Sequence, residues 1–249
     1  MSGVEESDVR LAERLATEAG EILLSLQRSS GLTGKDLGKA GDKIANAFIM
    51  HALRESRPED AILSEEESDN SARLSSGRVW IVDPLDGTRE YGEARADWAV
   101  HVALAVDGMA TLCAVALPGL PLTLSTDEPF RRPHHTGKLR MLVSRTRPAA
   151  EAVAVAEALG AELIPMGSAG AKAMAVVRGE ADIYLHSGGQ YEWDSCAPVA
   201  VAHAAGLHTS RVDGSPLRYN QPNTLLPDLL VCPKEYAARV IELAAQHQP

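Results

Sequence analysis

Aromatic residues are scarce in this chain: Phe, Trp and Tyr make up 4% of its 249 residues. Single-stranded nucleic acid is held largely on stacked aromatics, so that platform is missing. Positive charge is short as well. Lys and Arg number 24 against 34 Asp and Glu, a formal net charge of −10. That balance argues against binding to a nucleic-acid polymer or to an anionic membrane. No apolar run approaches the roughly 20 residues of a membrane span. The three cysteines, Cys113, Cys196 and Cys232, are widely spaced and form no Cys-x-x-Cys. That excludes a disulfide framework and suits reduced thiols. The start of the chain is acidic, with Glu5, Glu6 and Asp8, and has no basic segment leading into an apolar one. No secretory signal is visible, and a cytoplasmic location is expected. Internal repeats and low-complexity tracts are also missing.

What is present fits a globular protein. The length suits one large or two small domains, and 45% apolar residues can build an ordinary core. The most informative stretch runs from Val79 to Tyr91, Val-Trp-Ile-Val-Asp-Pro-Leu-Asp-Gly-Thr-Arg-Glu-Tyr. Val79 to Val82 read as a short buried strand, expected to stop at Pro84, which has no N–H for a sheet ladder. Asp83 and Asp86 then share a tight turn with Leu85 between them. Two carboxylates and a carbonyl aimed at one point make an all-oxygen nest for a hard cation such as Mg²⁺. Gly87 permits an unusual backbone conformation, and Thr88 is placed to start a helix whose free N–H groups could meet an anion.

Around that turn the periodicity alternates. Ser7 to Ser29 is helical, with Ser7 as N-cap and Leu11, Leu15, Ile22 and Leu26 on one stripe. Gly31 to Gly41 carries four glycines and reads as a loop. Asp42 is expected to open a second helix reaching about Arg57, with Ile44, Phe48 and Leu53 inside. Ala61 to Leu63 form a strand that ends in Ser64-Glu65-Glu66-Glu67. Asp69 to Gly77 is polar and reads as a flexible loop. Trp98 to Val106, Thr111 to Leu117 and Leu122 to Ser125 read as antiparallel strands, with a hairpin turn at Asp107-Gly108. Glu128 to Gly137 is a loop. Its adjacent His134 and His135 would point opposite ways in an extended segment, so no histidine metal site is expected there. From Leu139 strands and helices alternate, with helices at Pro148–Leu159, Ser168–Arg178, Ser195–Ala205 and Lys234–Ala245. An N-terminal α+β half with an antiparallel sheet, residues 1–135, is therefore expected before a C-terminal α/β half, residues 136–249.

Asp83-Pro84-Leu85-Asp86-Gly87-Thr88, the Glu65-Glu66 pair after a strand, and Trp193-Asp194 before a small-residue helix together carry a resemblance. They resemble the signature of the Mg²⁺-dependent, lithium-sensitive phosphatases of the inositol monophosphatase and fructose bisphosphatase superfamily. The resemblance spans Asp42 to Gly206. It implies an α/β sandwich, layered αβαβα. It implies two or three Mg²⁺ ions held by Glu65, Asp83, Leu85, Asp86 and Asp194, with Glu66 as a nearby helper. Glu67 leaves the register of the glutamate ligand open by one residue. Asp42 would pair with Thr88 to orient the attacking water, with in-line attack and no phosphoenzyme. A phosphatase that forms an aspartyl phosphate needs its two aspartates two apart, whereas Asp83 and Asp86 are three apart.

Within that superfamily, Asp-Gly-Thr-Arg-Glu-Tyr and Trp-Asp-Ser-Cys-Ala-Pro are most similar to the bisphosphate nucleotidases, although Val199 replaces a Glu. The expected activity is removal of the 3′-phosphate from 3′-phosphoadenosine 5′-phosphate, a by-product of sulfate assimilation. Inositol monophosphatase or fructose-1,6-bisphosphatase activity is the alternative. A metal- or nucleotide-binding regulator on the same fold is the non-enzymatic one. Ser144-Arg145-Thr146-Arg147 and Gly167-Ser168-Ala169-Gly170-Ala171-Lys172 resemble runs that contact substrate in those nucleotidases. Arg145, Ser168 and Lys172, with Gly87 and Thr88, are thus the expected substrate contacts. The expected partner is a small phosphorylated molecule, with a homodimer left open.

Overall fold

The computed structural model describes residues 6–133 and 135–247; His134 lies outside the described residues. Two mixed five-stranded sheets alternate with three layers of helices. Helices α1 (Asp8–Ser29) and α2 (Gly34–Ser56) cover the outer face of the first sheet. That sheet contains β1 (Ala61–Ser64), β2 (Arg78–Asp86), β3 (Ala99–Val106), β4 (Met109–Leu117) and β5 (Leu122–Ser125), in that order. Only β1 and β2 run parallel. A five-residue helix, α3 (Thr88–Gly92), follows β2 directly.

The second half supplies β6 (Arg140–Ser144), α4 (Ala150–Leu159), β7 (Glu162–Met166), α5 (Ala169–Val177), β8 (Ile183–Tyr191) and α6 (Glu192–Ala204). It closes with β9 (His208–Ser210), β10 (Leu225–Cys232) and α7 (Lys234–Ala245). The second sheet has the order β7-β6-β8-β10-β9. Helices α5 and α6 lie between the sheets, and α4 and α7 cover the far face. Three apolar clusters fill the spaces between these five layers. Trp80 and Trp98 are fully buried under α1 and α2, while Met174 and Cys196 are buried between the sheets. Each such large side chain contributes about 1.5–3 kcal/mol on leaving water.

The glycine-rich segment is helix, not loop. Helix α2 begins at Gly34, so Asp42 lies in its third turn and caps nothing. Gly38 and Gly41 account for this. A Cβ on Gly38 would meet Thr88 Cγ2 at 2.7 Å. One on Gly41 would meet Leu85 Cδ2 and Tyr91 Cε1, each at 2.9 Å. The glycines let α2 press against the β2–α3 turn, and that tertiary contact overrides their poor helix propensity. The same tilt buries Ala45, Ile49 and Leu53, while Ile44 is exposed and Phe48 half-buried, contrary to expectation.

Strand β2 also continues through Pro84 to Asp86 instead of stopping. Asp83 pairs with His101 and Asp86 with Ala99, so β2 carries one residue more than β3. Pro84 sits in that bulge, where the ladder asks for no donor. The expected loop from Asp69 to Gly77 contains a 3-10 turn, Ser71–Ser75. It is anchored by buried Arg73, which donates to Asp69, Asn220 Oδ1 and the Gln221 carbonyl. Helix α4 starts two residues after Pro148, and α6 starts at Glu192, three before Ser195. Asp107 (φ 49°) and Gly108 (φ 76°) form the expected hairpin turn.

Candidate active site

The site lies where the end of β2, the end of β1, the first turn of α5 and the first turn of α6 converge. Carboxylate oxygens of Asp83, Asp86 and Asp194 lie within 4.8 Å of one another. Asp83 is 1% exposed and Asp86 7%. Asp83 Oδ1 accepts from the Leu85 N–H at 3.0 Å, which folds the turn around its own carboxylate. Burial, then the charges of Glu65, Asp86 and Asp194, push the Asp83 carboxyl well above its ordinary range. Asp194, half-buried, is pushed up to about 7 by burial and by Asp86. It is the third residue of α6, and its Oδ2 accepts from the Tyr191 N–H at 2.6 Å.

Glu65 joins this group. The residue as a whole is exposed, but its carboxyl end turns in to interact with Asp83, where desolvation followed by Asp194 raises it to about 7. Of the three consecutive glutamates, Glu65 is the one whose carboxyl meets the cluster. Glu67 turns away, accepting from Asn46 Nδ2 at 2.9 Å and Arg54 Nη2 at 3.1 Å. Glu66 lies close enough to Asp42 for its charge to raise that carboxyl. Asp42 and Thr88 meet as expected, although Asp42 arrives from mid-helix. Thr88 Oγ1 is 3.3 Å from Asp42 Oδ1 and 3.2 Å from the Leu85 carbonyl oxygen. Burial, then Glu66, lifts Asp42 to about 7. Gly87 holds φ 90°, a left-handed conformation that turns the strand into α3.

Gathering acids around buried Asp83 and Asp86 is costly unless a cation compensates them. The donor set is all oxygen, which suits Mg²⁺ or another hard divalent ion. Glu65, Asp83, Asp86, Asp194 and the Leu85 carbonyl are the groups that could hold it.

The expected substrate contacts behave differently. Asp86 occupies the N-terminus of α5: Oδ2 accepts from the Ser168 hydroxyl and from the Gly170 N–H at 2.6 Å, and Oδ1 from the Ala169 N–H at 3.2 Å. The anion at this helix end is therefore the protein's own carboxylate. Lys172 is buried and donates from Nζ to the carbonyls of Ser168 (2.6 Å) and Gly167 (3.2 Å). Arg145 Nη2 bridges Glu90 at 2.8 Å and Glu93 at 2.7 Å. These side chains still line a cavity of about 510 Å³ with Gly87, Thr88, Arg89 and Arg147. Their hydrogen-bonding capacity is largely spent within the protein.

One residue at the site carries no sequence expectation. His101, fully buried on β3, has Nδ1 2.9 Å from the Trp193 carbonyl. A carbonyl only accepts, so Nδ1 carries the proton. Its Nε2 is 3.4 Å from Asp86 Oδ2. A lone polar residue inside the Val100–Leu104 apolar run was the available signal.

A sandwich of five layers whose chain turns gather acids at one end is a build that could hold a hard cation there. The profile of the Inositol monophosphatase family matches residues 5–249, and the chain belongs to that family. It is 48% identical over 248 residues to the 3′-phosphoadenosine 5′-phosphate phosphatase of Mycobacterium leprae (strain TN), covering 94% of this chain and 92% of that protein. It is 30% identical over 199 residues to the 3′(2′),5′-bisphosphate nucleotidase CysQ of Escherichia coli (strain K12), covering 75% and 81%. Among solved structures, CysQ from Bacteroides thetaiotaomicron, described as a bacterial member of the inositol monophosphatase family, superposes with a TM-score of 0.79 at 25% identity. It covers 91% of this chain and 97% of its own. An inositol monophosphatase from Anabaena (Nostoc) sp. PCC 7120 gives 0.78 at 20% identity, a likeness of fold.

Proposed function

We propose that this protein is a Mg²⁺-dependent phosphomonoester hydrolase that removes the 3′-phosphate of 3′-phosphoadenosine 5′-phosphate. The carrying observation is the convergence of Asp83, Asp86 and Asp194 from separate elements, with oxygens within 4.8 Å of each other. The 48% identity to a 3′-phosphoadenosine 5′-phosphate phosphatase over most of both chains supports the substrate.

Glu65, Asp83, Asp86, Asp194 and the Leu85 carbonyl bind the cation in this reading. When bound, Mg²⁺ supplies Lewis acidity to the phosphoryl oxygens and acidifies water. The protein's own part begins at Thr88. Its hydroxyl proton is engaged by Asp42 Oδ1 and the Leu85 oxygen, which leaves its lone pairs to accept from a water. Thr88 thereby orients the attacking water. Asp42, lifted to about 7, takes up the proton near neutral pH. Gly87, without a side chain, keeps the approach to the turn open.

Incubation with 3′-phosphoadenosine 5′-phosphate, followed by ³¹P NMR of the products, tests the reading. It requires adenosine 5′-phosphate and free phosphate, formed only with Mg²⁺. Accumulation of adenosine 3′-phosphate would contradict the assigned bond.

A further inference from the structure

The bisphosphate reading leaves one phosphate without a partner. The acids and their cation would take the 3′-phosphate, but the second phosphate needs protein cations in a chain of net charge −10. The cations expected to serve it are engaged: Arg145 by Glu90 and Glu93, Lys172 by two carbonyls in a buried position. A second cavity, of about 460 Å³, adjoins the first, and both include Thr88 and Arg89 in their walls. Its other lining residues are Gly34, Lys35, Lys39 and Glu93.

Lys35 and Lys39 stand one turn apart on α2, where like charges repel. Arg89 comes to the same cavity from α3. Among the described residues, none of the three is in an ion pair or a side-chain hydrogen bond. Glu93, the acid among those lining residues, accepts from Arg145 Nη2 at 2.7 Å and shares that guanidinium with Glu90, so three cations face one partly compensated acid. Three uncompensated cations around one concavity, one residue from the Thr88 hydroxyl, form a locally positive site in a negative molecule.

We infer that Lys35, Lys39 and Arg89 form the subsite for the second phosphate of a bisphosphorylated substrate. This rests on the proposed phosphatase reading and adds to it the residues that select a substrate with two phosphates. Arg89 offers a planar donor fork to phosphate oxygens, and the two lysines add point charges. The subsite holds a phosphate that does not react, so it contributes equally to ground and transition states. Its loss raises KM and leaves kcat in place.

The test compares 3′-phosphoadenosine 5′-phosphate with adenosine 3′-phosphate, which keeps the nucleoside and the scissile bond but lacks the 5′-phosphate. Lys35→Ala/Lys39→Ala lies on an exposed helix face where alanine is well tolerated. For the bisphosphate its KM should rise about tenfold, the size of one lost charge-assisted hydrogen bond, with kcat unchanged. The KM for adenosine 3′-phosphate should not move. Lys35→Arg/Lys39→Arg should restore the bisphosphate KM. Equal effects on both substrates, or no effect on either, in an enzyme that prefers the bisphosphate would overturn the subsite alone. A wild-type enzyme that turns over neither nucleotide would remove the phosphatase reading, and the subsite with it.

Discussion

The Gly170 N–H meets Asp86 Oδ2 at 2.6 Å, 84 positions along the chain. Through this contact α5 directs its positive end at the carboxylate that β2 delivers. The Ser168 hydroxyl adds to the same oxygen, and the Ala169 N–H to the other. The arrangement fixes Asp86 in orientation and joins the two halves of the chain at the site.

The Ser168 hydroxyl is held by Asp86, and a role in orienting that carboxylate predicts an effect independent of substrate. Ser168→Ala should weaken Mg²⁺ binding about 10–100-fold, the usual cost of removing a hydrogen bond behind a metal ligand. The loss should be the same for every phosphate ester, and saturating Mg²⁺ should recover most of the rate. Titrating activity with Mg²⁺ on two substrates checks this; a loss confined to one substrate would assign Ser168 to substrate contact.

Thr88 and Asp42 share a hydrogen bond from different helices. If they act as one unit on water, Thr88→Ala, Asp42→Asn and the double variant should lose similar amounts of kcat. Single losses that multiply in the double variant would show that the two act independently.

The raised carboxyls give stability a pH dependence. Asp42, Glu65 and Asp194 stand at about 7 in the metal-free protein, against ordinary values of 3.8 and 4.5. The folded state thus holds protons that the unfolded chain has released. Their cost is zero below the unfolded values and grows as pH rises through the folded ones. Buried His101 and half-buried His186, whose pKa values are lowered by desolvation, push the opposite way. The useful readout is therefore the difference in Tm with and without Mg²⁺. That difference should grow between pH 5 and pH 8, since the cation needs ionised carboxylates. Calorimetry showing a constant difference would place Mg²⁺ binding elsewhere.

Gly41 has no room for a methyl group, with Leu85, Tyr91 and Leu23 all within 3.0 Å of the Cβ position. Gly41→Ala gains about 1 kcal/mol of helix propensity but overpacks the contact at a cost of about 1–3 kcal/mol. Net destabilisation in urea unfolding, with reduced activity through the displaced Leu85 carbonyl, is expected. A stabilised, fully active variant would show that α2 can shift freely against the turn.

Much of this was legible in the sequence. The strand-turn-helix from Val79 to Tyr91, the hairpin at Asp107-Gly108 and the alternation after Leu139 follow local patterns that packing reinforces. Asp83, Asp86 and Asp194 were legible because their motifs are short and contiguous. The glycines of α2 misled because their purpose is tertiary: they admit Thr88, Leu85 and Tyr91, which local propensity cannot reveal. Pro84 misled because a bulge removes the donor requirement that normally ends a strand. Ser168 and Arg145 were recognisable as candidate contacts, but their partners, Asp86 and Glu90, come from distant segments. His101 and the Lys35–Lys39–Arg89 grouping appear only once α2, β3 and α3 are in place.

In the proposed function the carboxylate cluster binds Mg²⁺ to hydrolyse a 3′-phosphate beside a 5′-phosphate. The direct measurement is kcat/KM for phosphate release from 3′-phosphoadenosine 5′-phosphate, inositol 1-phosphate and fructose 1,6-bisphosphate. It is made with Mg²⁺ and with chelator, on wild type and Asp83→Asn. The nucleotide should give the highest value, and chelator should abolish activity. The variant should fall roughly 10²–10³-fold, which corresponds to about 3–4 kcal/mol of lost transition-state stabilisation. A higher value for inositol 1-phosphate, or an Asp83→Asn enzyme as active as wild type at saturating Mg²⁺, would contradict the proposed function.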